Sequence, residues 1–165
     1  MPPRFRELHE TFLFEVSFAK DESAFFRACG PIEADVSIQT YKEAGAVIPI
    51  KDPDGVEFSN VTLDRGTSSS TVFYDWLQEV LNSLNGLREG RPIPNYFKRT
   101  VMVYQLSRQR QRLRRWDLVN AFPVKFRGGT WDNSTDEINI ESLTLAYDFF
   151  ACTTVRRGEA TSDDI

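Results

Sequence analysis

Apolar and polar positions alternate in steps of two over much of the chain, and each such run predicts a strand. Phe12, Phe14, Val16 and Phe18 share one face, with Thr11, Glu15 and Ser17 among the residues between them. Ile32, Ala34, Val36 and Ile38 repeat the pattern against Glu33, Asp35, Ser37 and Gln39. Asp52-Pro53-Asp54-Gly55 then reads as a turn, because Pro presets φ and Gly accepts a left-handed conformation. A strand from about Val56 to Arg65 follows, but its apolar phase slips between Val56/Phe58 and Val61/Leu63, so a bulge or sharp bend is expected near Ser59-Asn60. Val101 and Val103, with Met102, Tyr104 and Leu106, mark another strand. In the next one Trp116, Leu118, Phe122, Val124 and Phe126 share a parity, and Pro123 suggests an edge or the end of regular pairing. A last long strand slips phase at Glu141-Ser142, between Ile138/Ile140 and Leu143/Leu145/Tyr147/Phe149.

One segment changes period. Phe73, Trp76, Leu77, Val80, Leu81 and Leu84 form a single helical stripe, predicting an amphipathic helix packed over an apolar sheet face. Ser68 to Ser70 and Thr71 offer N-caps, Asp75 suits the positive end of the helix dipole, and Asn85-Gly86 offers a stop. Together the periods predict a mainly β protein, a small barrel-like pair of antiparallel sheets with one flanking amphipathic α-helix. Phe73, Trp76, Leu77, Val80, Leu84 and Trp116 are its expected core and helix-packing residues. The expected layout is an N-terminal arm (1–9), a single domain (10–155) and a flexible polar C-terminal tail (156–165), with no internal repeat.

Composition permits such a core: of 165 residues, 41% are hydrophobic, and 13 are Phe. No apolar run reaches the roughly 18 residues needed to span a membrane, and no secretory h-region opens the sequence. Synthesis in a cytoplasm without Sec-type export is therefore expected. Cys29 and Cys152 have no metal-type spacing and read as buried small hydrophobes.

The net charge of −4 conceals a segregation. Between Arg88 and Arg115 lie nine basic residues and one acid, while the rest of the chain is strongly acidic. A basic face that meets the acidic face of a neighbour would use that arrangement.

Candidate chemistry is sparse. The single histidine, His9, precedes the first strand, so no catalytic triad or His-based metal site is indicated. There is no phosphate-binding loop or dinucleotide fingerprint, and Gly128-Gly129 is only a loop signal. No cofactor, metal ligand or catalytic residue is assigned, and a non-enzymatic role is expected. The cluster Arg108, Arg110, Arg112, Arg114 and Arg115 has three readings: a contact with acidic neighbouring subunits, the solvated tip of a hairpin, or a phosphate-binding surface for nucleic acid. The surrounding acidity weighs against the last, which leaves a nucleic-acid-binding β-barrel using Arg108–Arg115 as the alternative function.

Six segments, in order, carry a family resemblance. They are Phe14-Glu15-Val16-Ser17-Phe18, Tyr41-Lys42-Glu43-Ala44-Gly45, the run from Phe58 to Gly66, Tyr74-Asp75-Trp76-Leu77, the run from Arg115 to Phe126, and the run from Glu137 to Ala146. Over residues about 10 to 152 the chain resembles the tail tube proteins of contractile phage tails and bacterial contractile injection systems, relatives of the type VI secretion tube. Two departures are mild: the family pattern has Gly at the position of Ala44 and Trp at that of Phe122. The arginine-rich stretch lies outside the pattern.

The resemblance implies hexameric rings stacked into a hollow tube, which a contractile sheath drives through a target envelope. It implies as partners further copies of the chain, sheath, baseplate and tube-terminator proteins, and a cargo effector or phage DNA in the lumen. Assembly would take place in a bacterial cytoplasm, with a virion tail or an injection particle, inside or outside the cell, as destination. In such proteins the loop matching Tyr41 to Val56 joins neighbouring subunits and rings. The interface candidates are thus Tyr41, Lys42, Glu43, Ala44, Gly45, Asp52 and Asp54, joined by Arg108, Arg110, Arg112 and Arg114 on the charge argument.

Overall fold

Ten strands and one long helix make up the described residues of a computed structural model, 14–18, 23–66, 69–92, 95–129 and 139–155. The N-terminal arm, His9, Phe12, Ser68, Ile138 and the C-terminal tail lie outside them. The strands are β1 (Phe14–Ser17), β2 (Ser23–Phe25), β3 (Ala28–Cys29), β4 (Ala34–Tyr41), β5 (Ile50–Phe58), β6 (Val61–Gly66), β7 (Arg99–Leu106), β8 (Arg112–Arg127), β9 (Ile140–Ala146) and β10 (Phe149–Thr154). The helix α1 spans Val72–Arg88, and a 3-10 turn covers Asn95–Phe97.

β8 organises the sheets. Its first half lies between β7 and β10, and its second half pairs with β9. The order β2-β1-β7-β8-β10 thus runs through its first half, and β3-β6-β9-β8 through its second. The strand changes sheet at Asn120, whose φ of 55° is left-handed, a conformation Asn tolerates better than most residues. The Asn120 side-chain amide donates to Asp148 Oδ2 at 2.7 Å, and the Asp148 N–H donates to the Val119 carbonyl at 3.0 Å. This fastens the bend to the break between β9 and β10.

The bend corrects the expected parity of β8. Leu118 is buried on one side of Asn120, Ala121 and Pro123 on the other, while Val124 is exposed. Pro123 is fully buried and stands where the expected edge begins: pairing with β7 stops at Ala121, residues 122–127 pair with β9 alone among the described residues, and that register shifts between Pro123 and Lys125, a bulge suited to a residue without an N–H. The slip expected at Glu141-Ser142 is likewise no bulge. Glu141, Leu143, Leu145 and Tyr147 keep one buried parity, and Glu141 occupies a core-facing position because Arg65 meets it. Arg65 Nε donates to Glu141 Oε2 at 3.0 Å, Arg65 also donates to the Ser70 carbonyl, and its guanidinium stacks 3.9 Å from the Phe73 ring centroid.

The predicted break at Ser59-Asn60 is present, but it is a change of sheet: β5 ends at Phe58 and β6 begins at Val61. Asp52-Pro53-Asp54-Gly55 is not a turn. It lies within β5, opposite β4, and the reversal falls at residues 42–49. The proline and glycine are accommodated by a bulge, since Ser37 pairs with Gly55 and Ile38 with Pro53, leaving Asp54 as the extra residue.

α1 closes the core with Phe73 and Trp76, which meet Phe18 and Phe26 ring to ring. The Trp76 indole N–H donates to the Phe97 carbonyl at 2.6 Å, so its one polar atom is satisfied. Leu77 and Val80 are half-buried, and Trp116 packs against the edge of the core. Leu84 does not join them: it is 49% exposed, with Leu81 and Leu87 on the same uncovered stretch. The helix also outruns Asn85-Gly86. It ends on a left-handed Gly90, where Gly90 N–H donates to the Leu87 carbonyl and Arg91 N–H to the Gly86 carbonyl, a Schellman arrangement. At the other end Thr71 caps through no side-chain bond to the backbone, and its hydroxyl donates instead to Asp75 Oδ2.

Removing one partner of the Arg65–Glu141 pair strands a charge among apolar neighbours. Arg65→Met is expected to lower stability by about 3 kcal/mol, and the double change R65M/E141L by clearly less than the two single losses combined. Urea unfolding midpoints of the three variants check both statements.

Candidate subunit interface

β4 and β5 pair only with each other and form a separate two-stranded ribbon. Alternation gives it two faces. On one, Val36 stands opposite Val56 and Ile38 opposite Pro53. On the other, Asp35 stands opposite Glu57 and Gln39 opposite Asp52. Among the described residues nothing covers the apolar face: Val36, Ile38 and Val56 are 59%, 57% and 58% exposed. At the tip Val47 and Ile48 are 87% and 79% exposed. An isolated two-stranded ribbon is at best marginally stable in water, so this one has the form of a part made to be covered.

Seven of the sequence-predicted contact residues fall on this ribbon. Tyr41 and Asp52 are diagonal neighbours on its polar face, the tyrosine hydroxyl donating to Asp52 Oδ2 at 2.9 Å. Lys42, Glu43, Ala44 and Gly45 form the exposed reversal, where Ala46 N–H donates to the Glu43 carbonyl and Gly45 takes a φ of 90°. Asp54 is the bulge residue. The exposed apolar residues Val36, Ile38, Val47, Ile48 and Val56 were not among the interface candidates read from sequence, because alternation identifies an apolar face without saying which molecule buries it.

The arginine candidates gather elsewhere, at the turn between β7 and β8. Ser107 organises that turn: its hydroxyl oxygen accepts from Gln109 N–H and Gln111 N–H, and its own N–H donates to the Gln111 carbonyl. Arg110 takes a left-handed φ of 58°. Arg112 and Arg115 are engaged within the chain. Arg112 stacks 3.9 Å from the Tyr104 ring centroid and donates to both Glu15 oxygens, and Arg115 donates to Asp117 at 2.8 Å, a bond that raises the Arg115 pKa. Arg110 and Arg114 form no ion pair among the described residues. The structure therefore brings together the ribbon candidates as one group and the arginines as another, without contact between the two.

Two strand edges add to the uncovered surface. β10 pairs only with β8 and β2 only with β1, so the five-stranded sheet has an open edge at each end among the described residues. A shallow polar cleft of about 280 Å³ lies on β6, β9 and the second half of β8, walled by Thr62, Asp64, Lys125, Arg127, Ser142 and Thr144. No group of three potential metal ligands occurs among the described residues, and no described helix is long and apolar enough to cross a membrane.

The two cysteines differ, which corrects the expectation that both are buried. Cys29 is largely enclosed beside the core, and burial pushes its thiol up to about 11, whereas Cys152 is exposed on β10.

Comparison with known proteins places this geometry. The family model described as T4-like virus tail tube protein gp19 matches residues 10–151. The sheath-tube complex of an extracellular contractile injection system, PVC, in its extended state contains a chain with 21% identity and a TM-score of 0.74, over 91% of this chain and 94% of that one. The tube-terminating cap of the anti-feeding prophage contains another at 21% identity and a TM-score of 0.72, over 88% and 91%. Hcp1 from Flavobacterium johnsoniae is similar at 12% identity and a TM-score of 0.51, over 86% and 94%. No curated protein sequence matches.

The thiols give a test of the described surface. With a folded-state value near 11, Cys29 remains protonated at pH 8, and Cys152 alone is expected to react quickly with a disulfide reagent in the folded protein. Because the folded state holds the Cys29 proton more tightly than the unfolded chain, stability is full below pH 9.0 and declines as pH rises from there towards about 11. Thiol titration with and without denaturant, and unfolding midpoints from pH 8 to 11, check these statements; Cys29→Ala should remove the second effect.

Proposed function

The chain belongs to the T4-like virus tail tube protein family, and on that premise we propose that it forms hexameric rings that stack as the inner tube of a contractile injection system or phage tail. The observation that carries this reading is the ribbon of β4 and β5, an element with an uncovered apolar face and no partner strand among the described residues. A neighbouring subunit supplies the missing cover. The edges of β2 and β10 serve the same purpose in the plane of the ring: joining one edge to the other edge of the next copy is a head-to-tail contact, which closes into a ring when the rotation suits six copies. Such pairing also removes exposed strand edges that would otherwise template aggregation.

Within the particle the subunit meets a sheath outside, a baseplate and a terminator at the two ends, and a cargo effector or DNA in the lumen. Fold neighbours come from a sheath-tube complex and a tube-terminating cap, which supports this set of partners. The subunit acts mechanically, without catalysing a reaction. It is made in a bacterial cytoplasm and ends in a virion tail or an injection particle.

Negative-stain electron microscopy with light scattering over a concentration series tests the reading. Six-membered rings or tubes of uniform width are expected. Val36→Asp with Val56→Asp should reduce the assembled fraction by roughly tenfold or more while leaving the thermal midpoint of the subunit within a few degrees. A wild-type protein that remains monomeric at every concentration, with or without baseplate seeds, would overturn it.

A further inference from the structure

The second face of the ribbon carries an unresolved charge problem. Asp35 and Glu57 are direct cross-strand partners, and like charges in that position repel. Asp52 lies on the same face, opposite Gln39. The ribbon's two lysines do not relieve them: Lys51 pairs with Thr40 on the apolar face, and Lys42 lies in the reversal. Neither Asp35 nor Glu57 forms an ion pair among the described residues. An arrangement that costs stability in the isolated subunit and has no cation among the described residues calls for one from outside.

The turn between β7 and β8 presents the complementary fault. Arg110 and Arg114 are exposed and lack a carboxylate, although Arg112 and Arg115 on the same hairpin have found one in Glu15 and Asp117. We propose that the acidic face of the β4–β5 ribbon, through Asp35, Glu57 and Asp52, docks on Arg110 and Arg114 of a second copy of this chain. This rests on the tube reading and deepens it, by fixing which surfaces meet and in what register.

The spacings suit each other. Asp35 and the Gln39–Asp52 pair are four residues apart along β4, about 13 Å at the rise of an extended strand. Arg110 and Arg114 are also four residues apart, so their Cα atoms lie no more than about 13 Å apart, and with Arg110 in the turn their long side chains supply the remaining reach. One guanidinium can therefore meet the Asp35–Glu57 pair while the other meets Asp52, whose carboxylate already accepts from Tyr41. The Tyr41 bond holds that carboxylate in place before the arginine arrives.

A second copy is the fitting occupant because the two surfaces differ and belong to one chain that does not join them internally. Such a heterologous contact repeats from copy to copy, whereas a self-complementary patch would stop at a dimer. Between exposed groups it contributes mainly register and rejection of wrong partners, with the apolar face supplying more of the affinity.

Charge reversal tests the pairing. In wild-type protein the sedimenting assembled fraction should fall as salt is raised from 0.05 to 1 M, since partly exposed pairs are screened. R110E/R114E and D35R/E57R should each raise the concentration needed for assembly by roughly tenfold or more, and the chain carrying all four changes should recover most of that loss. Recovery distinguishes pairing from misfolding, because two destabilising changes would not cancel. Unchanged assembly in R110E/R114E, or no recovery in the fourfold variant, overturns the pairing and leaves the tube reading standing. Unchanged assembly with lost binding to a single-stranded DNA oligonucleotide would assign the arginines to phosphate instead. A wild-type chain that never assembles overturns both readings together.

Discussion

β8 must serve two sheets, paired on both edges over residues 114–119 and with β9 alone beyond Ala121, and most of the fold follows from how it does so. A straight strand of sixteen residues would leave one sheet or the other. Asn120 turns the backbone through a left-handed residue, and Asp148 ties the turn to the break between β9 and β10. The register Val119–Phe149 and Phe122–Ala146 is the same on both sides of that break, so β9 and β10 act as one long partner interrupted only where the bend requires it. The Pro123 bulge then lets a buried residue without an N–H sit on the edge that β8 presents beyond its pairing with β7. With the sheets so joined, one open mouth remains, and α1 fills it with Phe73 and Trp76.

The closed part of the molecule is self-sufficient, and the ribbon is not. Its backbone is paired, but only within itself, and its apolar side chains face water. The acidic opposite face limits non-specific association of such a surface, since charge on an exposed ribbon discourages indiscriminate pairing. The same charge destabilises the free ribbon through Asp35 and Glu57. Both features make sense if the folded subunit is an intermediate and the assembled neighbour is part of its fold.

Periodicity revealed the helix stripe, the strands and the break at Ser59-Asn60, because each depends on neighbours close in sequence. It failed where a distant residue changed the meaning of a local signal. Asp52-Pro53-Asp54-Gly55 has turn chemistry, yet eight residues of β4 hold it extended with one bulge. Glu141 looked like a phase slip because its cation, Arg65, lies 76 positions earlier. Leu84 continues a helical stripe that the sheet does not extend far enough to cover, and Cys152 falls on an edge strand. Of the candidate interface, the Tyr41–Gly45 region was legible through family resemblance, whereas the exposed valines and isoleucines were not. Alternation reports that a face is apolar and cannot report which molecule buries it.

The segregation of charge sharpens once the arginines are separated by partner. A simple basic patch would leave every guanidinium in the hairpin available, and phosphate would be as good a ligand as any. Here Arg112 is fixed against Tyr104 and Glu15, and Arg115 against Asp117, so their charge is largely compensated inside the subunit. These bonds tie down β7 and β8 next to the turn and leave Arg110 and Arg114 exposed, with no ion pair among the described residues. A long polyanion gains from many mobile cations along its path. Two positioned guanidiniums are better matched to a short, fixed set of carboxylates, and the ribbon of another copy carries that set at the right interval.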